Sequence, residues 1–232
     1  MNRILEVCLV TVALATNLAP ASHAQSPALQ KGISVQMPPT SNAVAMPDAD
    51  NEDAWIVTVT ADDSVYFGTD LVTPAGLADT MKSRPRNREQ KLYIKADART
   101  AFANVERVLE EGRSVFFETA VLLTTQAESP ATGNTVSPKG LEVVVGRALG
   151  TGTVTTVVQL LNSGQQRAAL TINGDEISWS ALESTLRRHF QKGDEKAVLL
   201  KADGQLPFAD VVHVIDVCHS AGAKVVLATP QL

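Results

Sequence analysis

Lys95-Ala96-Asp97-Ala98-Arg99-Thr100-Ala101-Phe102-Ala103-Asn104-Val105 returns later in the chain as Lys201-Ala202-Asp203-Gly204-Gln205-Leu206-Pro207-Phe208-Ala209-Asp210-Val211. Six of these eleven positions are identical at a constant spacing of 106 residues, and Val108 and Val214 extend the match. A repeat at that period marks two copies of one supersecondary unit. Each copy then ends in an apolar strand, Ala120–Leu123 and Val225–Ala228, where a two-residue gap aligns Thr125 with Thr229.

The elements around the repeated stretch follow the same order in both copies. Trp55–Thr60 alternates as a strand does, Ala61–Ser64 is a turn cluster, and Val65–Gly68 returns as its partner. Pro74 opens a helix running to Met81, as proline does in a first turn. Leu92–Ile94 is a short buried strand, and Ala101–Glu111 a second helix. The second copy reads as strand Val154–Leu161, turn Asn162–Gln166, strand Ala168–Ile172 and turn Asn173-Gly174-Asp175. Helix Ser180–Gln191, strand Ala197–Leu200, helix Pro207–Ser220 and a last strand follow. In the final helix Phe208, Val211, Val212, Ile215 and Cys218 fall on one face, and Gly222 stands where a left-handed cap is needed. Burying each of those side chains contributes roughly 1.5–3 kcal/mol. The predicted fold is α+β: two tandem β-β-α-β-α-β modules, each with two helices on one face of a mixed sheet.

Composition shifts set the boundaries. Residues 25–53 and 127–139 are rich in Pro, Ser, Asn and other small polar residues and read as linkers. The modules then span 54–126 and 140–232. Residues 1–24 carry a basic start, Met1-Asn2-Arg3, an apolar run from Ile4 to Ala19, and small residues at Ser22 and Ala24. They read as a signal peptide, with a retained N-terminal anchor as the alternative. Localisation is therefore the periplasm, or the inner membrane with the bulk in the periplasm. Cys8 would leave with a cleaved signal, so Cys218 reads as a small buried hydrophobe rather than half of a disulfide.

Charge and chemistry exclude several classes. The net charge is −5, and no Lys/Arg run exceeds Arg187-Arg188, which gives no footprint for nucleic acid. The four histidines show no zinc spacing, and neither a phosphate-binding Gly-rich loop nor a G-x-S-x-G elbow occurs. No cofactor is implied and no enzyme activity is expected. Asp97 and Asp203 each end a strand before a helix. They are read either as acid/base or partner-contact groups or as acceptors for backbone N–H groups of the loop. Lys95 and Lys201 share those loops. Phe67-Gly68 and Asn173-Gly174 mark tight turns, and Trp55 and Trp179 are read as core or module-packing residues.

The ordered set resembles the periplasmic domain of the ExbD/TolR family of biopolymer transport proteins. The residues that carry it are Ala168–Gly174, Leu199–Asp203, Pro207-Phe208-Ala209, Ala221–Lys224 and Val225–Pro230, with Val65–Gly68, Val72-Thr73-Pro74, Ile94–Asp97 and Phe102 in the first copy. The first copy lacks the Ala-Gly cap and has Ser114–Phe117 instead. Gly32–Pro39 is similar to the segment after the family's membrane helix, and Gly140–Val143 echoes it. The resemblance implies the coupling or adaptor part of a TonB- or Tol-like system driven by proton-motive force. Its partners would be an ExbB/TolQ-like channel protein or a TonB/TolA-like transducer, and peptidoglycan. The alternative is a polymer-binding module independent of a proton channel. The family's membrane helix carries a proton-accepting Asp, whereas Ile4–Ala19 contains only Glu6, a candidate proton carrier if that segment stays in the membrane. The resemblance further implies candidate loop residues Lys95, Asp97, Lys201, Asp203, Asn173 and Gly174, and either a homo-oligomer or an intramolecular pseudo-dimer.

Overall fold

The computed structural model describes residues 33–87, 89–125, 137–146, 156–165, 167–191 and 196–229. The targeting segment with Glu6, and most of 127–139, lie outside these residues.

Among the described residues twelve strands form one mixed sheet. In the first module β2 (Trp55–Val59), β3 (Val65–Phe67) and β4 (Asp70–Val72) form an antiparallel meander, preceded by the short β1 (Val44–Ala45). Helix α1 (Leu77–Ser83) leads to β5 (Leu92–Ala96), and α2 (Phe102–Ser114) to β6 (Thr119–Thr124). β5 lies parallel to both β2 and β6, the arrangement that helical crossovers produce. After β7 (Lys139–Val145) the pattern recurs as β8 (Thr156–Leu161), β9 (Ala169–Ile172), β10 (Asp175–Ile177), α3 (Leu182–Phe190), β11 (Ala197–Ala202), α4 (Phe208–Ser220) and β12 (Lys224–Leu227). The short strands β4 and β10 add one strand per module to the predicted order. Three residues of Asp-Leu-Val or Asp-Glu-Ile carry too little alternation to be read as strands.

Alternation explains the layers. Trp55, Val57 and Val59, then Leu92, Ile94 and Ala96, face the large core under the helices, and Tyr93 points the other way. α2 buries Phe102, Val105, Val108 and Leu109, and α4 buries Phe208, Val211, Val212, Ile215 and Cys218. Among the described residues no helix is long and apolar enough to cross a membrane.

β7 joins the modules. It runs antiparallel to β6 and parallel to β12, so one strand serves both halves. Gly140 is required there, because a Cβ would lie 2.4 Å from Val121 Cγ1 and 3.0 Å from the Leu122 carbonyl oxygen. The ladders also fix the alignment of the repeat. Ala120 faces Leu92 and Val225 faces Val198, so the spacing falls from 106 to 105 at the last strands. The two-residue gap read from the sequence is a one-residue gap, because two threonines were aligned in place of the paired positions.

From residue 33 onward, the stretch expected as linker is a packed leader. Met46 and Ala49 are buried against Tyr93, Val121 and Leu123 on the face away from the helices, with Met37, Ala54 and Ile56 beside them. The apolar residues are spaced too widely among polar ones to show helix or strand periodicity.

Candidate functional site

The two Lys-Ala-Asp loops meet. Phe102 N–H donates to the Leu206 carbonyl at 2.8 Å, and Phe208 N–H to the Thr100 carbonyl at 2.9 Å. Ala103 N–H donates to the Gly204 carbonyl at 2.9 Å, and Ala209 N–H to the Ala98 carbonyl at 3.0 Å. Each pair is the other moved by 106 residues, so the contact has the reciprocity of a two-fold interface within one chain.

The helices explain why this contact forms. The first N–H groups of a helix have no partner inside it. A side chain at the N-cap normally supplies one. α2 begins after Ala101 and α4 after Pro207, and neither has a side-chain cap. Each helix start is capped instead by carbonyls of the other module's loop. Ala101 and Pro207 sit opposite each other in an antiparallel bridge with similar backbone angles, φ −64° ψ 136° and φ −58° ψ 137°. Proline fits there because its missing N–H is not needed. Gly204 fits because a Cβ would lie 2.9 Å from the Ala103 Cβ.

The two aspartates hold these loops differently. Asp97 Oδ1 accepts from Arg99 Nε at 2.8 Å and from Arg99 N–H at 3.1 Å, and Oδ2 from Arg99 Nη2 at 3.0 Å and Gln36 N–H at 3.1 Å. Its side chain is 3% exposed. The Arg99 guanidinium lowers its pKa to about 2, aided by both backbone N–H groups and opposed by burial. Asp203 Oδ1 accepts from Gln205 N–H at 2.9 Å. Lys95 is buried on the leader side of β5, where desolvation lowers its pKa, whereas Lys201 is exposed. Asn173 (φ 52°) and Gly174 (φ 92°) form the two-residue turn between β9 and β10. The Asn173 side chain accepts from Val157 N–H at 2.7 Å, away from the paired loops. The structure thus brings together the loops of Lys95, Asp97, Lys201 and Asp203 and leaves Asn173 and Gly174 apart. Trp179 donates its indole N–H to the Ala168 carbonyl at 2.9 Å, and Trp55 is buried. Cys218 is fully buried, which pushes its thiol up to about 12.

Three features escaped the sequence reading. Asp216 of α4 accepts from Ser41 N–H at 3.0 Å and Asn42 N–H at 2.8 Å, so the leader touches both modules through a carboxylate. Glu106 is buried in α2, and desolvation, with the Glu110 charge, raises its carboxyl to about 7. Phe116 occupies a left-handed conformation (φ 72°) and forms the cap that Gly222 (φ 78°) forms in the second module. Phe116 N–H donates to the Arg113 carbonyl and Gly222 N–H to that of His219. The missing N-cap side chains were the one available signal for the paired loops.

A family model described as "Biopolymer transport protein ExbD/TolR" matches residues 4–127 and, a second time, residues 116–231. No curated protein and no solved structure matches the chain.

Proposed function

The chain belongs to the ExbD/TolR family of biopolymer transport proteins, in two consecutive copies, and from that premise we propose that it is a periplasmic coupling or adaptor component of a TonB- or Tol-like system driven by proton-motive force. As a member of the family it is a transport-associated envelope protein, and catalysis is not the family's work. The modules are assigned to 54–126 and 140–232, with residues 1–24 as a signal peptide. An ExbB/TolQ-like channel protein or a TonB/TolA-like transducer is the expected partner.

The observation that carries this reading is the reciprocal capping of α2 and α4. An interface that two chains would build with two identical surfaces is built here by one chain, so the chain presents a complete two-module unit. Asp97 and Asp203 then act as loop-holding groups rather than as acids or bases. The Asp97 carboxylate is engaged on both oxygens and held ionised.

The test is intact mass and fractionation of the chain made in a Gram-negative cell, followed by affinity isolation. Co-isolation of a channel or transducer protein supports the coupling role. A soluble periplasmic species beginning at Gln25 that brings down neither would overturn it. A full-length inner-membrane species would make Glu6→Gln the next variant, with proton-dependent transport as the readout.

A further inference from the structure

Glu106, Glu110 and Arg113 follow one another by single turns along one flank of α2. The repeat spacing of 106 puts Val212, Asp216 and His219 at the same places on α4. The α2 flank faces the second module. Arg113 Nε comes within 3.9 Å of where a Cβ on Gly146 would stand, at the end of β7. The buried Thr229 hydroxyl, just beyond β12, lies beside the Glu110 carboxylate. Gly146 N–H donates to the Leu227 carbonyl at 3.2 Å, so the ends of β7 and β12 meet this flank as one surface.

The two flanks treat their acids differently. Asp216 engages both oxygens with the Ser41 and Asn42 N–H groups, and Val212 beside it is apolar and fully buried. Glu106 occupies the place of Val212. It is 9% exposed, and among the described residues no hydrogen bond or ion pair reaches its carboxylate. Burial without a partner disfavours the charged form, and a second carboxylate one turn away disfavours it further. Both effects act here: burial first, then the Glu110 charge, hold the Glu106 carboxyl at about 7. Burial raises Glu110 as well, against the pull of Arg113.

Other charges stand on the elements packed against α2. α4 carries Asp210, His213, Asp216 and His219, β7 carries Glu142, β5 carries Lys95, and α1 carries the exposed Asp79–Lys82 pair. Asp216 is turned to the leader, and Glu142 and Lys95 lie on the opposite side of the sheet. Among the described residues Glu110 is the one charge that acts on Glu106.

We infer that Glu106 is a proton-binding site at the seam between the modules. With its carboxyl protonated, the side chain packs as Val212 does and α2 closes on the ends of β7 and β12. When the proton leaves for solvent, the carboxylate draws water to this flank and the contact loosens. The site belongs to the folded modules, apart from Glu6 and residues 1–24, and does not depend on the transport reading, so the failure of either leaves the other standing.

NMR titration of the full chain in mild detergent tests it. With glutamate carboxyls labelled in 13C, one resonance should titrate at about 7. It should be missing from Glu106→Gln, which keeps the shape of the protonated acid and carries no charge. Val145-Gly146 is the only Val-Gly pair in the sequence, so carbonyl-labelled valine with 15N-glycine isolates the Gly146 amide. Its hydrogen-exchange protection should fall at least about tenfold between about pH 6 and 8 in the wild type and not in Glu106→Gln. Glu110→Gln should move the Glu106 titration downward without abolishing the shift, because burial is its larger cause. Two results overturn the inference: no glutamate carboxyl that titrates above about pH 6, or a Gly146 amide whose protection does not follow the Glu106 titration.

Discussion

The two modules share a backbone and differ in what they bury. At one place module one has Phe116 and module two Gly222, at another Glu106 and Val212, at a third the buried Lys95 and the exposed Lys201. The hydrogen bonds that define the fold are kept through these differences, as the matching caps of α2 and α4 demonstrate. The outer face of the first module is covered by the leader, with Met46 and Ala49 packed on Tyr93 and Leu123. The second module leaves Lys201 and Leu161 on that face exposed. The comparison teaches that backbone pairing constrains the copies more tightly than side-chain identity. Module two is the economical version, and module one carries the burdens that need a reason.

The comparison breaks most visibly in the core. Val211→Asp places a charge in a fully buried site of α4. It should cost on the order of 4 kcal/mol or more. Because β7 and the capped loops tie the halves together, calorimetry should record loss of the single cooperative transition rather than survival of an intact first module.

Glu106→Val, which copies module two into module one, is the next largest effect. The folded carboxyl, at about 7, lies above its ordinary value of 4.5. The folded state therefore holds the proton more tightly than the unfolded chain. Its penalty is absent below about pH 4.5, grows as pH rises, and is complete above pH 7. The variant should gain roughly 2 kcal/mol at pH 8 and little of that at pH 4, read from urea melts at the two pH values. A gain independent of pH would assign the effect to packing alone.

Asp97→Asn should cost about 1–2 kcal/mol and Asp203→Asn clearly less, since only the first carboxylate holds the leader and an arginine. The Asp97 carboxyl lies below its ordinary value, so its contribution is present above about pH 4 and fades as pH falls through about 2. Equal losses from the two variants, measured by thermal melts at pH 7, would remove this distinction. The smallest effect is a gain. Phe116→Gly relieves the left-handed backbone and should raise stability by about 0.5–1 kcal/mol, a shift of a few degrees in Tm.

Much of this fold could be read from residues. The repeated Lys-Ala-Asp stretch, the stripe from Phe208 to Cys218 and the alternation of Trp55–Val59 gave the elements and the duplication, because periodicity is a local property. The shared strand β7 was less legible. Whether Lys139–Val145 belongs to one module or both depends on partners distant in sequence. The leader was hidden because Met37, Met46 and Ala49 pack without any repeat. At the site, the aspartates were found but their unequal roles were not, since Gln36, which distinguishes Asp97, lies 61 residues away. The mutual capping could have been suspected from Ala101 and Pro207, where a side-chain cap would ordinarily stand.

Those caps have a consequence for dilution. Two separate chains that cap each other's helices find one another at a rate and to an extent set by how many copies the compartment holds. Here both halves are on one polypeptide, so each sees the other at an effective concentration fixed by the connecting chain rather than by abundance. The helix starts of this protein stay capped at any expression level, and a cell holding a few copies has the same folded unit as one holding thousands.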